Sequence, residues 1–221
     1  MGVMRRAGVL IAALLLVTAT GASAKFGFGV RAGMGAAYAN YQYNLAGVSS
    51  DSKNSGVALA AHAGLAVNIG FTHGFEVESG AQFALLGSRV KSENPFGDYT
   101  WNRSLYVVQI PVRAGWSYPF SDAIGIYAQL GPQFTVAVGG KDNRTGDIKL
   151  TKIKHEGEMT FGDDGQNNRF LMDLSIHAGV TLGGFRVGAY YDLGLMNMSS
   201  VKEIKYKPSS AGVSVAYFFG F

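Results

Sequence analysis

The chain has 221 residues, no cysteine, 31 glycines and only 15% charged against 48% hydrophobic residues. This composition excludes a disulfide scaffold, a cysteine-ligated metal site and a disordered chain. The formal net charge of +4 includes Arg5 and Arg6 of a leader segment. It therefore gives little support to nucleic-acid binding, and we predict no nucleic-acid partner.

Residues 1–24 have the order of a secretory signal peptide. Arg5 and Arg6 are followed by an apolar run, 9–17, that is short for a membrane helix, and by the small residues of Ala22-Ser23-Ala24. We predict that 1–24 is removed and that 25–221 forms one domain, with an N-terminal anchor as the alternative reading. No cysteine follows the apolar run, so a lipoprotein is excluded.

The rest of the chain alternates with a period of two residues, which is the pattern of β-strands. In the first segment, for example, Phe26, Phe28 and Val30 alternate with Gly27 and Gly29. Such segments are long, whereas strands of soluble proteins average about five or six residues. The predicted strands cover residues 26–36, 57–69, 75–85, 106–116, 124–134, 173–182, 185–195 and 211–221.

The connections between these strands alternate between long and short, as in outer-membrane barrels. The long connections are 38–56, 88–103, 140–169 and 197–209, and the short ones are 70–74, 119–122 and 183–184. We therefore predict an all-β fold, an eight-stranded antiparallel up-and-down transmembrane β-barrel with its apolar face toward lipid. The alternative is a secreted soluble barrel or sandwich of lipocalin type, whose apolar face would point inward and bind a ligand.

The polar face of the predicted strands would point into a lumen that has room only for side chains. Buried charges must be paired there. We expect Glu76 and Glu78 near Arg31 and Arg113, and Arg186 near Asp173 or Asp192. A small gated ion path or a ligand pocket at the mouth remains an alternative to a structural network. The predicted lumen network comprises Arg31, Glu76, Glu78, Arg113, Asp173, His177, Arg186 and Asp192.

No catalytic or metal-binding pattern is strong. Asp173, Ser175 and His177 share one strand face, but alternation often produces such trios, and neighbours two residues apart lie about 6–7 Å from each other. The motif HExxH is absent, and the oxygen-rich segment 163–168 lacks the bidentate glutamate of a calcium loop. We predict that the protein is not an enzyme and has no cofactor and no metal.

Four segments resemble small eight-stranded outer-membrane barrels of Gram-negative bacteria, of the architecture of OmpA- and OmpX-type barrels. More narrowly, they resemble the PorT-like outer-membrane barrel family common in Bacteroidetes. The resemblance implies a barrel whose C-terminal residues Tyr217, Phe219 and Phe221 form the signal for the barrel-assembly machinery. The matching segments are QIPVR at 109–113, YAQLGP at 127–132, YYDLGLMN at 190–197 and YFFGF at 217–221.

The long, charged connection 140–169 is the predicted site for an unknown surface ligand, because exposed loops on a rigid scaffold carry most binding sites. We expect a monomer in contact with outer-membrane lipid and lipopolysaccharide, structural or surface-binding in function. The PorT resemblance implies an accessory role in protein secretion or assembly as an alternative. A narrow, porin-like solute channel and a lipid-modifying enzyme are further alternatives.

Overall fold

The computed structural model describes residues 25–45, 48–49, 53–54, 56–94, 97–148, 151–162, 167–201 and 204–219. The predicted signal peptide, 1–24, and Phe221 lie outside the described residues. Within the described residues, no helix is long and apolar enough to cross a membrane. The strands are β1 Lys25–Leu45, β2 Val48–Ser49, β3 Lys53–Asn54, β4 Ala58–Gly70, β5 Phe75–Asn94, β6 Gly97–Pro119, β7 Ile124–Ile148, β8 Thr151–Glu158, β9 Phe170–Leu182, β10 Phe185–Gly194 and β11 Ile204–Phe219.

Eight long strands close into a barrel, as the alternation predicts. The order is β11-β10-β9-β7-β6-β5-β4-β1, and β11 also pairs with β1, so these eight strands leave no open edge in the part of the chain that the structure describes. The paired strands are antiparallel throughout. Such closure satisfies the backbone hydrogen bonds that an open edge would leave unpaired in lipid.

The register around the barrel fixes the tilt of the strands. Following it from Gly27 through Asn68, Glu78 and onward leads back to β1 at Ala37, a stagger of ten residues. With a rise of about 3.3 Å per residue and about 4.8 Å between strands, this stagger gives a tilt of about 40°. That tilt is typical of barrels that span a membrane.

Side chains alternate between the two faces as the sequence predicts. On β9, Ile176 and Val180 are 42% and 40% exposed, whereas His177 is 1% exposed. The exposed face is rich in Phe, Val, Leu and Ile, and the buried face carries the polar and charged residues. An apolar outer surface around a polar interior is the reverse of a soluble barrel, so the lipocalin-type alternative does not fit.

The outer connections differ from the prediction, because much of their length is strand. The segment predicted as loop 88–103 continues β5 and β6 as a paired ladder up to Asn94 and Gly97. Similarly, β7 and β8 form a hairpin within 140–169, and β11 already begins at Ile204. Outside the membrane no lipid requires apolar residues at alternate positions. The two-residue pattern therefore ends in these segments, although their backbones remain paired as strands.

Candidate functional site in the barrel lumen and at its outer mouth

The lumen is crossed by a charged layer whose centre is the fully buried Glu78. One nitrogen of Arg31 donates to both carboxylate oxygens of Glu78, at 2.7 and 2.8 Å. Arg113 donates to the same carboxylate at 2.5 Å. Neighbouring strands explain the second contact, because Glu78 and Arg113 are register partners on β5 and β6. The expected contact of Glu78 with these two arginines is therefore present in the structure.

Glu76 and Arg186 extend the layer toward the periplasmic end. Arg186 donates to the two oxygens of Glu76 at 2.8 and 2.6 Å, and its ion pair with Glu78 spans 3.6 Å. Gln129 donates to Glu76 at 2.5 Å. We expected Asp173 or Asp192 beside Arg186, and Arg31 or Arg113 beside Glu76. That assignment was wrong, because the ten-residue stagger brings Arg186 to the level of the glutamates on the opposite wall.

The two lumen aspartates lie nearer the outer end and are held by neutral donors. Thr135 and Gln133 donate to Asp173 at 2.7 and 3.5 Å. Ser210 donates to Asp192 at 3.3 Å. Both aspartates are about one-twentieth exposed, so they form a second polar tier between the charged layer and the outer mouth.

Ser175 and His177 are buried in the charged layer and are held by its arginines. Arg113 donates to the hydroxyl of Ser175 at 3.2 Å and lies 3.1 Å from Nε2 of His177. Arg31 lies 3.3 Å from the other ring nitrogen of His177. A neutral imidazole has only one acceptor nitrogen, so one of these two contacts is a close approach without a hydrogen bond. These contacts fix the positions of both side chains, and Ser175 also hydrogen-bonds to the carboxylate of its register partner Asp192 on β10.

An apolar cluster closes the lumen above the polar tiers. Met159 and Met198 come from segments outside the barrel strands and reach back into its mouth, where they pack with inward-facing strand residues. Sequence reasoning missed this cluster because it assigned both methionines to loops. We call it the mouth cluster, and its buried members are Ala39, Ala84, Leu105, Val107, Ala137, Met159, Leu171, Met198 and Tyr206.

A cationic and aromatic rim lies directly outside the mouth cluster. The guanidinium of Arg103 lies between two rings, 4.5 Å from the centroid of Trp101 and 4.7 Å from that of Tyr206. Trp101 donates to Asp142, and Arg144 donates to the same carboxylate at 3.2 Å. The odd positions of β6 continue the lumen phase of Arg113 up to Arg103, so a longer predicted strand would have found this residue.

The periplasmic end of the lumen is open. A cavity of about 580 Å³ lies there, and the Glu76–Arg186 pair is part of its lining. The cavity therefore reaches the charged layer from below, while the mouth cluster covers the polar tiers from above. This arrangement favours a filled barrel over a pore.

Two members of the predicted assembly signal are described. Tyr217 is half-buried and Phe219 is 54% exposed on the lipid face. Their rings are 4.8 Å apart between centroids, and Tyr217 also contacts Phe185 at 4.7 Å. They contribute to an aromatic belt at the periplasmic ends of the strands, where such belts mark the edge of the lipid.

A closed barrel with an apolar outer band, aromatic belts and a charged, filled lumen defines an outer-membrane β-barrel protein. The family model described as "Outer membrane protein beta-barrel domain" matches residues 18–200. The chain belongs to this family, and its location is the bacterial outer membrane. The narrower PorT-like resemblance stays a prediction.

The chain is also similar to solved outer-membrane proteins. It shares 13% identity with Ail, the attachment invasion locus protein of Yersinia pestis, over 87% of this chain and 99% of that one, with a TM-score of 0.34. It shares 12% identity with Neisserial surface protein A over 87% of this chain and 97% of that one, with a TM-score of 0.38. It shares 10% identity with the outer membrane protease OmpT of Escherichia coli over 87% of this chain and 97% of that one, with a TM-score of 0.34. A comparison with curated proteins finds no match.

Proposed function

We propose that this barrel is a non-enzymatic surface protein that binds a partner through its outer hairpins. The observation that carries the proposal is a four-stranded sheet formed by the outer parts of β5, β6, β7 and β8. At its outer end Asn94 pairs with Gly97, Gly97 also pairs with Ile148, and Ile148 also pairs with Thr151. This sheet continues the barrel wall beyond the mouth cluster, so a rigid scaffold presents it outside the membrane.

The strand β8 is the edge of that sheet. Within the described part of the chain, β8 pairs with β7 alone, and its sequence is TKIKHEGE. Lys154 lies 2.8 Å from Glu156. Their hydrogen bond raises the pKa of Lys154 and lowers the pKa of Glu156. Such charged edges oppose indiscriminate strand pairing and favour a partner whose charges are opposite in sign to those of the edge.

The filled lumen supports this function over the alternatives. A solute path would have to pass both the three-arginine charged layer and the mouth cluster. An acyl-transfer mechanism would need a substrate to reach Ser175, whereas Ser175 is fully buried and Arg113 contacts both Ser175 and His177. The secretion role implied by the PorT resemblance has no specific structural observation in its favour and stays a prediction.

Shortening the β7–β8 hairpin tests the proposal. We replace residues 145–154 with an Asn-Gly turn, since Arg144 and His155 are register partners that a two-residue turn can join. This deletion keeps Met159 in the mouth cluster, whereas deletion of 141–165 would remove it. Cells of a non-adherent strain that carry the full-length protein should be retained on at least one of a set of surfaces coated with proteins of differing net charge. Cells with the shortened protein should be retained several-fold less.

Both proteins must be present in equal amounts in the outer membrane and must show the same heat-modifiable migration on gels. Gly183→Asn, which changes the two-residue periplasmic turn at 183–184 without changing its length, serves as a control for general disturbance of the barrel. Equal retention of cells that carry the full-length and shortened hairpins would contradict binding through this sheet.

A further inference from the structure

The outer boundary of the membrane can be located on β11. Ten residues separate Phe219, in the periplasmic belt, from Ser209. At a tilt of about 40° this length spans about 25 Å, the height of the apolar band of outer-membrane barrels. Ser209 pairs with Tyr38 on β1, and the hydroxyl groups of Tyr38 and Tyr191 lie 2.7 Å apart. These tyrosines therefore mark the outer interface, where aromatic hydroxyls meet polar headgroups.

Two lysines follow on the lipid-side face of β11, immediately outside this boundary. Lys207 is half-buried and Lys205 is exposed, and two residues along a strand place them about 6–7 Å apart. Their register partners on β1 are the amides Asn40 and Gln42. Among the described residues, no acidic side chain forms an ion pair with either lysine.

We propose that Lys205 and Lys207 bind the phosphate of a phosphorylated lipid headgroup in the outer leaflet, with Asn40 and Gln42 at the side of the site. Both ammonium groups belong to the outward face, at the depth where headgroup phosphates lie, so their charge complements an anionic lipid. The tyrosine pair below them provides the apolar and hydroxyl surface that the lipid's inner part would contact. This lipid site goes beyond the proposed binding of a surface partner.

Lys141, another outer lysine, has different surroundings from this pair. Lys141 on β7 is exposed at the outer end of the barrel, but its register partner on β8 is Glu158. Its charge therefore has a carboxylate across the strand pair, whereas Lys205 and Lys207 have amides. Lys141→Gln is thus a matched control, since it removes one outer lysine without touching the proposed site.

The test uses the full-length protein reconstituted in nanodiscs. Native mass spectrometry measures how much diphosphoryl lipid A, dephosphorylated lipid A and inorganic phosphate remains bound to the protein. We expect the wild type to retain diphosphoryl lipid A over the dephosphorylated form. The double variant Lys205→Gln, Lys207→Gln should bind the phosphorylated lipid roughly tenfold more weakly, and Lys141→Gln should bind it like the wild type.

Heat-modifiable migration confirms that each variant is folded before the lipid is measured. The proposal is overturned if the double variant keeps the wild-type preference for diphosphoryl lipid A, or if Lys141→Gln weakens binding equally. Binding of inorganic phosphate with the same dependence on Lys205 and Lys207 but without lipid preference would also overturn it, because the site would then be a free-phosphate site.

Discussion

Replacement of Glu78 with alanine is expected to destabilise the folded barrel by about 3–5 kcal/mol, the usual result of removing one partner of a buried ion pair. Glu78 accepts hydrogen bonds from Arg31 and Arg113, and Arg186 lies 3.6 Å from it. Without the carboxylate, three buried guanidinium groups would share the single remaining glutamate of the layer, Glu76. The repulsion and lost solvation would act on the folded state alone.

Urea titration in lipid vesicles, with heat-modifiable migration as the measure of folding, gives the free energy of unfolding. Glu158→Ala is the matched control, because Glu158 is an exposed glutamate outside the barrel. Combining Glu78→Ala with Arg31→Met should recover part of the loss, because it removes one uncompensated cation. Equal urea midpoints for Glu78→Ala and Glu158→Ala would contradict the charged layer.

The second large effect is expected at Leu171, in the mouth cluster. Leu171 is 1% exposed and packs among buried apolar side chains inside the barrel. Leu171→Ala should cost about 2–5 kcal/mol, because it removes buried methyl groups and leaves a cavity that rigid barrel walls cannot close. The mouth cluster would then behave as a true core, although it lies within the lumen of a membrane protein.

Leu182→Ala on the same strand is the control for that experiment. Leu182 is 47% exposed on the lipid face at the periplasmic end of β9, so lipid can fill the space that its side chain leaves. We expect a loss of about 1 kcal/mol from reduced apolar contact alone. If the two leucine variants unfold at the same urea concentration, the lumen is not packed at its outer mouth.

The face of the barrel that each residue occupies could be predicted from the sequence, but the contacts between lumen residues could not. A period of two residues places Arg31, Glu78 and Arg186 inside wherever the strands lie in register. The contact between Arg186 and Glu76, by contrast, depends on the ten-residue stagger around the whole barrel. That stagger results from the strand pairing and leaves no local mark, so the expected aspartate partners were wrong.

The outer ends were the least predictable part of the fold. Beyond the lipid, outward-facing residues no longer need to be apolar. The continuation of β5 and β6 toward Asn94 and Gly97 therefore shows no alternation of apolar and polar residues in the sequence. Met159 and Met198 enter the barrel mouth from segments without strand periodicity. Leu105 and Arg103 lie at the same alternate positions of β6 as Arg113, and this spacing indicates that β6 continues outward with these residues facing the lumen.

The central claim is that the apolar face of these strands spans the lipid bilayer. Because the chain has no cysteine, single cysteines for nitroxide labels can be placed on the lipid face of β9, at Phe170, Leu174, Ile176, Val180 and Leu182 in turn. In vesicles, collision with oxygen reports lipid and collision with a water-soluble nickel complex reports water. The barrel geometry predicts that the ratio of oxygen to nickel collisions peaks at Ile176, near the middle of the band, and falls toward Phe170 and Leu182. Low oxygen accessibility at Ile176, or nickel accessibility equal to that at the two ends, would contradict a membrane-spanning apolar face.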